Sequence, residues 1–170
     1  MGEMAKKISN VDNKKLLEAL NAALAEEWLA YYQYWAGATV MVGPMRPTVQ
    51  EEFEKHANEE KGHADKVAER IVQLGGTPVL DPAEWSKLAR CKYDVPPANG
   101  CIVKLINQNI HAERCAIQRY QEICDMTFGK DHETYHMARE ILSDELEHEN
   151  DLEDFATDIE LIGGCKLDKK

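Results

Sequence analysis

A chain of 170 residues, 44% hydrophobic and 30% charged, suits a single globular domain over residues 1–170 with a substantial core. Its formal net charge of −11 repels phosphate backbones and attracts cations, which argues against nucleic acid as a partner. No run of about eighteen apolar residues is present to span a membrane. Five cysteines without a C-x-x-C spacing exclude a paired-knuckle zinc or rubredoxin site. The segment Met1 to Lys15 is polar and has no apolar signal core, so a cytoplasmic protein with reduced thiols is the expectation.

The first predicted helix runs from Asp12, a suitable N-cap, to Val42, before Gly43-Pro44. Its apolar stripe is Leu20, Leu24, Tyr31, Tyr34, Ala38 and Met41, with Glu27 standing where a leucine is expected. Glu26 points about 100° away and reads as solvated. A second helix is predicted from Thr48 to Leu74, after Pro47 and before Gly75-Gly76. Its stripe of Phe53, Ala57, Ala64, Val67 and Ile71 is interrupted by His56, Glu60 and His63. The short turn between these helices predicts antiparallel packing.

The connection that follows is too long for a tight turn. Asp81-Pro82-Ala83-Glu84 combines an N-cap, a proline at the first position and first-turn acid, predicting a short helix from Pro82 to Arg90. A third long helix is predicted from Ala98 to Met126, with Ile106, Ile110, Glu113, Ile117, Tyr120 and Cys124 in line. The fourth spans His132 to Leu161, where Glu145 and His148 interrupt a stripe of Ala138, Ile141, Leu152, Phe155 and Ile159. Gly163-Gly164 ends it, and the six residues beyond leave no room for a fifth long helix. Four amphipathic helices with one long middle connection predict an all-α four-helix bundle over about residues 12–161, in which all four seams meet.

Two motifs dominate this pattern, Glu60-Lys61-Gly62-His63 and Glu145-Leu146-Glu147-His148. In each Glu-x-x-His the carboxylate and imidazole share one helix face. Glu27 lies thirty-three residues before Glu60, and Glu113 thirty-two before Glu145, so one helix pair is written twice. Four unpaired carboxylates in hydrocarbon would be very unfavourable, whereas two divalent cations neutralise them. Carboxylates with two imidazoles suit iron or manganese, with zinc a competitor, and the absence of thiolates from the seam centres disfavours an iron–sulfur cluster. Glu60 and Glu145 are the expected bridges, Glu27 and Glu113 the terminal carboxylates, and His63 and His148 one ligand for each metal. Such a pair can deliver two electrons to one oxidant, peroxide or dioxygen.

The ligand pattern resembles that of ferritin-like di-iron carboxylate proteins. Leu20-Asn21 through Glu27 to Gln33-Tyr34, His63-Ala64-Asp65 and Ile141-Leu142-Ser143-Asp144-Glu145 with His148 are similar to bacterioferritin. Two departures follow. Bacterioferritin places a haem-binding methionine where this chain has Lys61, which implies no haem here. The short crossover helix and the missing fifth helix resemble Dps, which builds its iron site between subunits, whereas these ligands lie within one. A bacterioferritin-like site on a Dps-like body resembles the Dps-like proteins called thioferritins, whose family trait is a cysteine pair. The resemblance implies a ferroxidase holding two iron ions per subunit, using hydrogen peroxide before dioxygen, and storing ferric mineral in a dodecameric homo-oligomeric cage that protects against oxidative stress. A di-metal peroxidase or catalase without storage is the alternative, as is a DNA-protecting Dps, although the lysines at the tails are few.

Other residues carry weaker signals. Cys91 and Cys101 flank a loop with two prolines and a glycine and are placed to close a disulfide, against buried or free thiols. Cys115 and Cys124 lie on opposite faces of one helix and cannot pair with each other; Cys165, in the tail, reads as inert. Tyr31 and Tyr34 share the Glu27 face, where packing with a hydroxyl bonded to a ligand carboxylate is expected. Trp28 and Trp35 fall off the seam and read as packing or interface residues. His56, one turn before Glu60 on its face, reads as a surface or core-edge residue ahead of an iron relay, His132 and His136 as solvated ahead of an i, i+4 metal pair, and His111 has no evident partner.

Overall fold

The computed structural model describes residues 3–163. Four long helices form its body: α2 (Asn13–Val40), α3 (Arg46–Gln73), α5 (Ile102–Thr127) and α6 (His132–Leu161). A short α1 (Glu3–Ile8) precedes them, inside the stretch read from sequence as a polar tail; Met4 and Ile8 of α1 are exposed. In the crossover a 3-10 turn, Pro82–Glu84, runs into the one-turn helix α4 (Trp85–Leu88). The hairpins α2–α3 and α5–α6 are the main packing units, joined by α2 against α5 and α3 against α6. This is the four-helix bundle expected from the seams.

The boundaries follow local chemistry. The Asp12 carboxylate accepts from the backbone N–H groups of Lys14 and Lys15 at 3.0 and 3.2 Å, capping α2. Pro47 occupies the first turn of α3, where its missing N–H is not needed, so this helix begins two residues before the predicted Thr48. Helix α5 begins four residues later than predicted. Gly100 adopts φ +60°, and a Cβ there would lie 1.9 Å from the Val40 carbonyl oxygen. Val42 N–H donates to Gly100 at 2.7 Å and Ile102 N–H to Val42 at 3.1 Å, so the chain before α5 is stitched to the end of α2 rather than coiled.

The crossover is held along α2 by polar side chains. Asn21 accepts from Val79 N–H at 2.7 Å, Glu26 from Arg90 N–H at 2.6 Å, and the buried Gln33 from Asp94 N–H at 2.9 Å. The Arg90 bond draws the chain onto α2 and explains why the short helix stops at Leu88. Glu26 is also forked by Arg119 of α5 at 2.8 and 2.9 Å, so it is covered and ion-paired rather than solvated.

The core is divided. One apolar cluster contains Leu16, Leu20, Leu24, Val67, Ile71, Tyr120 and Ile141; the other contains Tyr34, Phe53, Leu105, Ile106, Leu152 and Ile159. Burying each large side chain contributes roughly 1.5–3 kcal/mol, so both ends are held strongly. Between them, at the middle of all four long helices, lies a layer of buried carboxylates and imidazoles. Near the first cluster, Arg70 of α3 donates to both oxygens of Asp131 at 2.8 and 3.0 Å and to Thr134 at 2.8 Å, fixing α3 to the start of α6.

Candidate metal centre

All six residues singled out by the repeated motif meet in the polar layer. Glu27 comes from α2, Glu60 and His63 from α3, Glu113 from α5, Glu145 and His148 from α6, and each is at most 2% exposed. They fall into two sets. Glu27, Glu60, His63 and Glu145 bring one ligand atom each within 4.8 Å of one another, as do Glu60, Glu113, Glu145 and His148. Glu60 and Glu145 belong to both.

The shared carboxylates divide their oxygens between the two halves. Glu145 Oε1 lies 3.2 Å from His63 Nδ1, and its Oε2 lies 3.2 Å from His148 Nδ1. Glu60 Oε2 lies 3.7 Å from His63 Nδ1 and its Oε1 3.3 Å from His148 Nδ1. Glu27 completes the first half at 3.6 Å from His63, and Glu113 the second at 3.8 Å from His148. Both Nδ1 atoms, both Glu145 oxygens, Glu60 Oε1 and Glu27 Oε2 are buried without a hydrogen-bond partner among the described residues. Buried polar atoms are normally satisfied, and six unsatisfied atoms facing one space fit a pair of cations.

The outer atoms of the same residues are bonded, and in a mirrored way. His63 Nε2 lies 3.1 Å from Asp144 of α6, and His148 Nε2 lies 3.1 Å from Glu59 of α3. A hydrogen on each Nε2 leaves the Nδ1 lone pair facing inward, the tautomer a metal ligand requires. Tyr34 of α2 donates to Glu113 of α5, and Tyr120 of α5 donates to Glu27 of α2. The Tyr34 bond agrees with the expectation from sequence. Tyr120, Glu59 and Asp144 were not read as site residues, yet the repeat marks them: each tyrosine follows its helix's glutamate by seven residues, and each Glu-x-x-His is preceded by an acid.

Burial pushes the carboxyls of Glu27 and Glu113 well above their ordinary range, reinforced by neighbouring charge on Glu60 and Glu145. Glu60 is held low: burial opposes ionisation, but the adjacent His148 and His63 imidazoles outweigh it. Both imidazoles are pushed up against burial by the surrounding carboxylates, Glu145 first for His63 and Glu113 first for His148. Without metal, the cluster thus balances its charge with protons.

The remaining candidates separate clearly. Cys91 is disulfide-bonded to Cys115, not to Cys101, which is buried and free. The stitch at Val42 carries Cys101 into the core at the start of α5, while Cys115, nearly four turns on, faces the irregular segment leaving α4. Cys124 is buried in the core and Cys165 lies outside the described residues. A narrow cleft between α2 and α5 runs from this disulfide past Ala30 and Gln33 to Glu27, Glu60 and Glu113. His111, exposed, has a ring nitrogen within 4.8 Å of both sulfurs. Trp28 stacks on Trp85 at 5.8 Å and meets Tyr31 edge-on at 6.1 Å, while Trp35 is half exposed against Tyr32. His132 and His136 are exposed, as expected. His56 is fully buried instead, and burial together with the adjacent His148 ring lowers its pKa to about 3.

A buried carboxylate–imidazole layer inside a four-helix bundle is the arrangement of one class of proteins, and the ferritin-like domain profile matches residues 17–162. The chain belongs to the ferritin-like family. It is 55% identical to a protein from Bacteroides fragilis described as a dodecameric thioferritin and bacterioferritin-related protein, with a TM-score of 0.93 over 95% of this chain and 97% of that one. It is 36% identical over 149 residues to the DNA protection during starvation protein of Pyrococcus furiosus, covering 88% of this chain and 80% of that protein. Dps from Thermosynechococcus elongatus shares the fold at 20% identity, with a TM-score of 0.79 over 90% of this chain and 94% of that one.

Proposed function

We propose that the chain is a ferroxidase and iron-storing mini-ferritin whose substrate, Fe(II), is oxidised in pairs at the six-residue centre within one subunit. The division of the Glu60 and Glu145 oxygens between the two halves carries this reading, because it offers two equivalent positions joined by two carboxylates. Glu27 with His63 holds one Fe(II) and Glu113 with His148 the other. Hydrogen peroxide accepts one electron from each: two Fe(II), one peroxide and two protons give two Fe(III) and two waters. The layer is enclosed by apolar clusters on both sides, which keeps the oxidant from other reductants. Manganese or zinc competes for the same ligands.

Likeness to the dodecameric thioferritin supports a shell built from copies of this chain, and in this reading that shell retains the ferric product. Protection of DNA, named for the Pyrococcus relative, is then chemical, by removal of iron and peroxide, since a net charge of −11 opposes direct binding.

The test is anaerobic addition of Fe(II) to the metal-free protein, then stoichiometric peroxide, with ferric absorbance and particle mass recorded together. Rapid oxidation with iron retained in a cage-sized particle is expected. Peroxide turnover without retained iron, in a small oligomer, would replace this reading with a di-metal peroxidase or catalase.

A further inference from the structure

Outside the six-residue centre, Glu52 and His56 of α3 and Asp151 of α6 bring a ligand atom each within 4.8 Å of one another. They stand on the α3–α6 side of the bundle, away from the disulfide-lined cleft between α2 and α5. His56 is fully buried, and its Nε2 has no hydrogen-bond partner of acceptable geometry. That atom points at Glu52 Oε1, 3.2 Å away, and Asp151 Oδ2, 3.6 Å away. Both carboxylates are partly open to solvent, with side-chain exposures of 23% and 32%.

The other ring nitrogen fixes the hydrogen. His56 Nδ1 lies 3.2 Å from the Tyr34 hydroxyl oxygen, and Tyr34 has only one proton, which it gives to Glu113. With the Tyr34 proton on Glu113, the bond between His56 and Tyr34 takes its hydrogen from Nδ1, and Tyr34 accepts it. Nε2 is then a lone pair facing two carboxylate oxygens. The half-exposed Lys55 donates to Glu52 Oε1 at 2.7 Å, but His56 Nε2 and Asp151 Oδ2 face each other with no donor between them, and the fully buried nitrogen cannot turn to water.

We propose that Glu52, His56 and Asp151 form a third divalent-cation site, separate from the six-residue centre. One imidazole and two carboxylates, with water completing the shell on the open side, suit Fe(II), Mn(II) or Zn(II). The His56 ring stacks on the ring of His148 with centroids 4.0 Å apart, so a cation held there stands one imidazole away from the centre and in contact with solvent. The site rests on its own geometry and does not require the centre to be a ferroxidase. A second proton on His56 would instead make an ion pair with Glu52 that leaves no place for a metal.

The experiment uses Zn2+, which does not change oxidation state. Crystals of the full chain soaked in Zn2+ are expected to show an anomalous peak about 2.0–2.1 Å from His56 Nε2, besides those in the centre. Equilibrium dialysis at micromolar free Zn2+ is expected to lose one ion per chain in the Glu52→Gln/Asp151→Asn variant, which leaves His56 and Tyr34 in place. Peaks in the centre with none at His56 would overturn the site, as would a His56 peak unchanged in that variant. A peak at His56 with an empty centre would uphold this site while refuting the proposed ferroxidase centre.

Discussion

Tyr120 of α5 donates its hydroxyl to Glu27 of α2, across the bundle from its own helix's ligand, Glu113. Tyr34 makes the reciprocal bond from α2 to Glu113. Each bond occupies Oε1 of its glutamate and turns the other oxygen toward the centre. Tyr120→Phe removes only the donor and leaves Glu27 free to swing. The expected result is a roughly 10–100-fold weaker affinity for Zn2+, read by competition with a chelator, with helical content unchanged. Tyr34→Phe is expected to weaken the other half comparably. Wild-type affinity in both variants would mean that the tyrosines merely pack.

The acids that precede the two motifs act one step further out. Asp144 and Glu59 each lie 3.1 Å from an Nε2, and a hydrogen held there would leave Nδ1 to face a bound cation. Asp144→Ala lets His63 rotate or change tautomer, and a loss of about 10–100-fold in metal affinity is expected. Asp144→Asn keeps an acceptor oxygen and should recover part of it. A general electrostatic role would predict equal losses in both variants.

The centre also links metal to stability. Six buried atoms lack partners among the described residues, and a cation bound there only in the folded chain would stabilise it by about 2.7 kcal/mol per site at one hundred times its dissociation constant. Thermal melting of the metal-free protein should therefore move upward with added Zn2+, and a Glu60→Ala/Glu145→Ala variant should show a much smaller shift. An equal shift in that variant would place the stabilising ions elsewhere.

Why the centre was legible in sequence follows from its construction. Helical seams are periodic, and a glutamate or histidine interrupting one is visible without coordinates; all six such residues meet in the structure. The outer partners were harder to read because their roles cross between helices. Asp144 serves the histidine of α3, and nothing local to Asp144 says so. Cys115 pairs with Cys91 because of the path taken by the irregular crossover segment, and that path depends on bonds between Asn21, Glu26 and Gln33 and backbone groups, which leave no periodic trace. The late start of α5 is similar. It depends on one carbonyl, that of Val40, lying where only a glycine at position 100 fits.

The Cys91–Cys115 bond closes a span of 24 residues and ties the crossover to α5. In the chain-entropy account, a loop of that size stabilises the fold by about 3 kcal/mol. Reduction should lower the denaturation midpoint, and Cys115→Ser should sit at the reduced value whether or not reductant is present. Cys101→Ser should keep the full response to reductant. A Cys101→Ser protein insensitive to reductant would restore the pairing across the shorter loop.

Arg70 and Asp131 give the fold a dependence on acid that is separate from the centre. Burial opposes the Asp131 charge, but the N–H and hydroxyl of Thr134, with Arg70 beside them, hold its carboxyl below the ordinary range. A group whose folded value is depressed stabilises fully above its unfolded value, about 3.9, and that contribution is lost as pH falls through the folded value. Asp131→Ala leaves the Arg70 guanidinium buried and unpaired and removes the cap of α6, so a loss of about 3–5 kcal/mol is expected at neutral pH. Urea unfolding of both proteins should show that gap narrowing below about pH 4, because protonation then removes the same charge from the wild type. Arg70→Met/Asp131→Ala should recover much of the loss, since no charge is left stranded. A gap that stays constant on acidification would assign the loss to the helix cap alone.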